Sequence, residues 1–110
     1  MKMHSQHEAL LAEFMLCLEE KRYYDAHEAL EEIWFPRRFE KDDEILLLKG
    51  FINASVSFEL LKLNRQIPSK KAWNTYLKYR PLLYKINSPH KNTYYFISRY
   101  LDTLYHSKEV

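Results

Sequence analysis

The sequence predicts an all-α fold, a compact single-domain bundle of about five helices with a buried central third helix. Glycine occurs once and proline four times among 110 residues, which leaves few turn residues for the hairpins of a many-stranded sheet. Strong helix formers dominate the composition, and apolar residues recur at helical spacing along most of the chain. A chain of this length builds one hydrophobic core, so residues 1–110 are predicted to form one helical domain.

The first two helices are predicted over residues 4–20 and 23–34. The first carries an amphipathic stripe, and Ser5 and Glu8 have the spacing of a capping box. The second ends before Pro36, because proline lacks an N–H group and disfavours helix in the residue before it.

The third helix, about residues 43–63, is apolar on almost every side and is therefore predicted to lie at the centre of the bundle. Asp42 or Asp43 is expected to cap its start. Its small or polar stripe consists of Gly50, Asn53 and Ser57. A glycine inside a helix usually permits close approach of another helix, so we expect this stripe to face the second helix.

Two further helices complete the bundle. Ser69 is the predicted N-cap of the fourth helix, and Pro81 is expected to kink or restart it. The fifth helix is predicted over about residues 92–106. Its expected inner face consists of Phe96, Ile97, Tyr100, Leu101, Leu104 and Tyr105.

The second helix carries the most distinctive sequence, Y-Y-D-A-H-E-A-L-E-E-I-W. On a helical wheel, His27 lies at the rim of the apolar face and two glutamates lie on its polar side. Glu31 follows His27 at i,i+4, where side chains touch, so it is expected to orient the imidazole. We expect Asn53 of the third helix to hydrogen-bond with this pair. The predicted ligand-binding residues are Tyr24, His27, Glu28, Glu31, Trp34 and Asn53.

The same stretch, followed by K-G-F-I-N-A and then by A-W-N-T-Y-L, resembles the family known as domain of unknown function 309. The resemblance covers roughly residues 14–80 and implies a small, compact, multihelical cytoplasmic protein of prokaryotic type. It implies little about function, because the family is defined by having no assigned activity. Lys49 and Asn53 stand where the family usually has glutamine. The matching residues are Tyr23, Tyr24, Ala26, His27, Glu28, Leu30, Glu31, Trp34, Gly50, Ile52 and Ala54.

The residues favour a ligand- or partner-binding module over an enzyme, because no nucleophile with a base beside it is evident. Several alternatives stay open. His27, Glu28 and Glu31 are ligand types that suit a divalent metal, as a bound ion or in a metal-dependent enzyme. His27 could instead act in acid–base catalysis, or form a structural hydrogen-bond network. His4 and His7, at i,i+3, are a further pair of potential metal ligands.

The uneven distribution of charge along the sequence indicates which kinds of partner the protein could bind. Residues 1–59 carry 7 Lys and Arg against 13 Asp and Glu, whereas residues 60–110 carry 10 against 2. The halves could neutralise each other within the fold, pair between subunits of a homodimer, or bind an anion. Nucleic-acid binding by the basic half is an alternative that is not favoured. It would use lysines and arginines interleaved with Trp73, Tyr76, Tyr79 and Tyr84.

The lone Cys17 cannot form an internal disulfide, and no apolar run has transmembrane length. We therefore expect a cytoplasmic protein that does not enter a membrane. The sequence identifies no cofactor other than the metal alternative, and it names no specific partner.

Overall fold

Five α-helices and two short 3-10 turns follow one another in the computed structural model, which describes residues 3–110 and the side chains from Gln6 onward. No strand occurs in this part of the chain, so the predicted all-α class is confirmed. The 3-10 turns are Phe35–Arg37 and Arg80–Tyr84. The helices are α1 Met3–Glu19, α2 Tyr23–Trp34, α3 Asp43–Lys62, α4 Gln66–Tyr79 and α5 Lys91–Ser107.

Local signals set most of these boundaries. The α2 helix has the predicted bounds and continues into the 3-10 turn that contains Pro36. Asp42 caps α3, because its side chain accepts a hydrogen bond of 2.7 Å from the Glu44 backbone N–H. Pro81 lies in the second 3-10 turn, which directly follows the end of α4.

The predicted start of α4 is wrong. The helix begins at Gln66, and Ser69 is a buried residue in its second turn rather than its N-cap. Pro68 is the third residue of the helix, where a missing N–H group costs nothing because the first helical N–H groups have no intrahelical partner. The proline is therefore compatible with a helix that starts before it.

The α3 helix is the buried centre of the bundle, as predicted. It packs against α2 and α4 along its length and also contacts α5. Ten of its residues are buried, which matches its apolar sequence on nearly all sides. The Cα radius of gyration is 13.1 Å, the value expected for a compact fold of this length.

The small stripe on α3 faces α4, so the expectation that it faces α2 is wrong. A Cβ atom built on Gly50 would lie 3.1 Å from the Tyr79 Cβ atom and 3.6 Å from the Tyr76 carbonyl oxygen. Ser57 is fully buried against the same helix, where its hydroxyl hydrogen-bonds with that of Ser69 at 2.8 Å. Glycine and serine thus permit the close approach of α4.

The predicted inner face of α5 is confirmed except at Phe96, because its other residues are buried or pack partly buried against the core. Tyr94, Ile97 and Leu101 are fully buried, whereas Phe96 is 61% exposed. A polar contact helps to fix this orientation: Asp102 accepts hydrogen bonds from the Tyr76 hydroxyl at 3.0 Å and from Arg80 at 2.8 Å. None of the helices in the described part of the chain is long and apolar enough to cross a membrane.

Candidate functional site

His27 and Glu31 lie beside each other on α2, as their spacing predicts. The His27 Nδ1–H group donates to the Tyr24 carbonyl oxygen at 2.9 Å, because a carbonyl oxygen can only accept. The other ring nitrogen, Nε2, lies 3.5 Å from the Glu31 carboxylate. The His27 side chain is 18% exposed and the Glu31 side chain 41% exposed. The pair therefore lies at the rim of the core.

The remaining predicted residues of α2 surround this pair. The exposed Tyr24 ring packs edge-on against the His27 ring, with 5.1 Å between the ring centroids. The negative charge of Glu28 raises the pKa of the Tyr24 hydroxyl. The half-buried Trp34 ring contacts the Phe35 ring edge-on at 6.4 Å. These residues are accessible enough to bind a ligand, and that role stays a prediction.

Asn53 makes its side-chain hydrogen bond within its own helix. Its amide donates to the Lys49 carbonyl oxygen at 2.9 Å. Its place in a ligand site remains a prediction without a supporting contact among the described residues.

The acidic side of α2 borders a shallow depression. Its lining residues are Glu28, Glu31, Glu32, Phe35 and Pro36. Two of them, Glu32 and Pro36, also line a deeper cavity. The predicted constellation on α2 is therefore adjacent to this cavity rather than at its centre.

The deeper cavity lies where the ends of four helices meet, and its volume is about 430 Å³. Volumes of this size are typical of small-molecule sites. The apolar lining consists of Leu10, Ile33, Pro36 and Pro89. The polar lining consists of Gln6, His7, Glu32, Arg37, Glu44 and His90.

A hydrogen-bond network from three helices forms the polar wall. Glu44, in the first turn of α3, accepts from the Tyr94 hydroxyl and from the Ser88 hydroxyl, the latter at 2.9 Å. His7 of α1 bonds through Nε2 to the Tyr94 hydroxyl oxygen at 2.8 Å. Negative charge is favourable near the start of a helix, which suits the position of Glu44.

A second carboxylate holds the other histidine. His90 precedes α5 and is 5% exposed, and its Nδ1 atom bonds to Glu8. The Thr93 hydroxyl also donates to Glu8, at 3.4 Å. The His90 backbone N–H donates to the Ser88 hydroxyl at 3.0 Å, which ties this segment to the bond between Ser88 and Glu44.

The two histidine rings stack on each other. Their centroids are 3.9 Å apart and their planes differ by 1°. Burial and the neighbouring His90 lower the pKa of His7, which favours its neutral form. Burial and the adjacent Glu44 raise the pKa of the Tyr94 hydroxyl, which keeps that hydroxyl protonated.

Sequence reasoning did not find this network. It treated His7 as a terminal residue paired with His4, and Glu8 as part of a capping box with Ser5. In the structure, Tyr94 and Glu44 are the neighbours of His7, while the side chains of His4 and Ser5 lie outside the described residues. A histidine–glutamate dipeptide at residues 7 and 8 was the only local signal.

Two other kinds of site, a metal centre and a reactive thiol, can be compared with the structure. Within the part of the chain whose side chains are described, no three His, Cys, Asp or Glu residues converge as they would around a metal ion. Cys17 is fully buried, and burial raises the pKa of its thiol, which disfavours the reactive thiolate.

The aromatic residues of the basic half are partly core residues. Trp73 and Tyr76 are buried, at 4% and 0% exposure, and cannot stack on nucleic-acid bases in this fold. Tyr84 is 71% exposed, and Lys70 and Lys71 are exposed as well. Nucleic-acid binding thus stays an alternative that rests mainly on surface charge.

Comparison with known proteins identifies one matching family. Residues 11–71 match the family model described as domain of unknown function (DUF309). No curated protein and no solved structure matches the chain. The matched stretch contains the constellation on α2 and Glu44, but neither His7 nor His90. Because the match covers more than half of the chain, this protein belongs to the domain of unknown function 309 family.

Proposed function

We propose that this protein is a small-molecule binding module whose ligand occupies the cavity between the helix ends. The observation that carries the proposal is the cavity of about 430 Å³ with an apolar wall on one side and a hydrogen-bonded polar wall on the other. Ligand sites in proteins commonly combine an apolar lining with a few polar groups that fix the ligand's orientation.

The polar wall is held in place before any ligand arrives. Two hydroxyls donate to Glu44, and Glu8 receives hydrogen bonds from His90 and Thr93. Side chains that are fixed in this way lose little conformational freedom on binding, which favours affinity.

The acidic side of α2, called the acidic rim from here on, adjoins the cavity. Glu32 lines both the cavity and the depression that Glu28 and Glu31 border. We place the family's His27 constellation in this rim, where Glu31 and Tyr24 could contact a part of the ligand that extends beyond the cavity.

A fragment screen followed by two-dimensional NMR tests this function. We expect some fragments to shift backbone amides of residues 6–10, 32–37 and 89–90 together. Leu10→Trp would place an indole in the cavity and remove these responses. Leu16→Trp is the matched control, because Leu16 lies on the same helix, is 49% exposed and does not line the cavity. Fragments that bind elsewhere, or equally well to Leu10→Trp, would contradict the proposal.

A further inference from the structure

Building on the proposed function, we infer that His7 is the hydrogen-bond acceptor of the cavity and that the ligand is an apolar ring bearing an N–H or O–H group. The inference follows from the positions of the hydrogen atoms in the hydrogen bonds that Tyr94 makes with two lining residues, His7 and Glu44.

The Tyr94 hydroxyl has one hydrogen and two neighbours. A carboxylate can only accept, so the hydrogen goes to Glu44. The oxygen of Tyr94 is then an acceptor for His7, whose Nε2 atom lies 2.8 Å away and must carry the donated hydrogen. The tautomer of His7 is therefore fixed by its neighbours.

A neutral His7 with hydrogen on Nε2 keeps a lone pair on Nδ1. Five charged or titratable groups surround the ring: Glu8, Glu44, His90, Arg37 and Tyr94. The His90 ring, stacked 3.9 Å away, disfavours a positive charge on His7 and so lowers its pKa. The positive charge of Arg37 lowers the pKa of His7 as well. Together with burial, these neighbours outweigh the two carboxylates, so the lone pair stays available at neutral pH.

Two other polar groups of the lining, Glu44 and Arg37, already have partners. Glu44 accepts from Ser88 and Tyr94, and Arg37 donates to Glu40 at 3.0 Å and to Asp42 at 3.4 Å. The hydrogen bonds of the described network use Nε2 of His7 and leave its Nδ1 atom to a ligand.

The rest of the cavity suits an apolar ring. Leu10, Ile33, Pro36 and Pro89 supply hydrocarbon surface, and the volume of about 430 Å³ accommodates a bicyclic molecule. A ligand that presented only acceptors would face the His7 lone pair and the Glu32 carboxylate without satisfying either.

Indole and 1-methylindole are matched probes, because they differ in the single N–H donor. We expect NMR titration to show indole binding in the cavity about tenfold more tightly than 1-methylindole, the difference that one hydrogen bond supplies. His7→Phe keeps an aromatic ring against His90 but has no acceptor, so both probes should bind it equally. His106→Phe is the control, since His106 is an exposed histidine of α5 and should leave the difference intact.

A measurement on the unaltered protein makes the test independent of how well His7→Phe folds. The ¹⁵N resonances of the His7 ring should show hydrogen on Nε2, and indole should shift the Nδ1 resonance most. Hydrogen on Nδ1, or equal affinity for the two probes, would overturn the assignment of His7 as acceptor.

The outcomes separate this inference from the proposed function. If neither probe binds in the cavity while screened fragments still bind there and are lost in Leu10→Trp, the ligand class is wrong and the binding function stands. If those fragments also fail to bind in the cavity, both proposals are wrong.

Discussion

The imidazole rings of His7 and His90 lie face to face, 3.9 Å apart, and so join the first helix to the segment that begins the last. Each ring is linked to its own carboxylate, His90 directly to Glu8 and His7 through Tyr94 to Glu44. Two parallel imidazolium rings at this distance would repel each other. The stack is therefore a contact whose strength depends on protonation.

Acidification should weaken the fold through His7. Its pKa is lowered from the ordinary value of 6.5, so in the window just below 6.5 the unfolded chain binds more protons than the folded one. Stability should consequently fall as the pH drops from 6.5 to the lowered pKa and should not fall further through this group at lower pH. Urea unfolding of the native protein and of His7→Gln, at about pH 7.5 and about pH 5, measures the effect.

The comparison isolates His7, because the groups that face it are the same in both proteins: Glu8, Glu44, Arg37, His90 and Tyr94. The native protein should lose more stability than His7→Gln over this range. An equal loss would show that another group is responsible.

Replacing Glu44 by glutamine should destabilise the protein by about 1–3 kcal/mol, because the Tyr94 and Ser88 hydroxyls would compete for a weaker acceptor. Asp43→Asn is the matched control. It removes the same charge from the first turn of the same helix, and its exposed side chain is outside the network. Similar losses in denaturant unfolding for the two variants would mean that the helix dipole alone explains the effect.

The two hydroxyl groups of the buried pair Ser57 and Ser69 should contribute unequally to the stability of the protein. Ser69 donates to the Ser57 carbonyl oxygen at 2.8 Å, so the Ser57 hydroxyl must donate to Ser69. Ser69→Ala would leave that hydroxyl buried without its acceptor and should cost about 1–3 kcal/mol. Ser57→Ala leaves Ser69 bonded to the carbonyl and should cost less. Thermal and urea unfolding of both variants test the order, which would be reversed if Ser57 were the main acceptor.

Gly50→Ala measures the closeness of α3 and α4. Alanine favours a helix by about 1 kcal/mol over glycine, but its Cβ atom would meet Tyr79 Cβ at 3.1 Å. That atom is attached directly to the backbone, so α4 itself must shift, and overpacking of this kind costs about 1–3 kcal/mol. We expect a net loss of about 1 kcal/mol in unfolding experiments. A gain in stability would show that the helices separate easily.

The features that could be predicted from the sequence are those that depend on residues close to one another along the chain. Pro36 and Asp42 end and begin helices through their own backbone and side-chain chemistry, so α2 and α3 were located correctly. The direction in which Gly50 faces could not be read in this way, because α3 has a neighbouring helix on both sides. The choice between α2 and α4 depends on how complete surfaces fit together.

The exposure of Phe96 and the presence of the cavity were not predicted, for a related reason. Several rotations of α5 bury a comparable apolar arc, and the hydrogen bond from Tyr94 to Glu44 favours the one that leaves Phe96 exposed. The polar wall takes its residues from three helices that are far apart in sequence. No spacing rule connects His7 with His90, whereas the spacing of His27 and Glu31 is visible within one turn of helix.

The cavity wall combines residues that are far apart in the sequence, and this affects how a newly made molecule folds. The helices α2, α3 and α4 each pack on the helix before them, so they can dock in order during synthesis. His7 gains its partners only when Tyr94 and His90 have been made, so the polar wall of the cavity is incomplete until then. A ligand of the completed cavity would bind only chains in which Tyr94 and His90 have been made and folded, and by mass action it would stabilise them over shorter nascent chains.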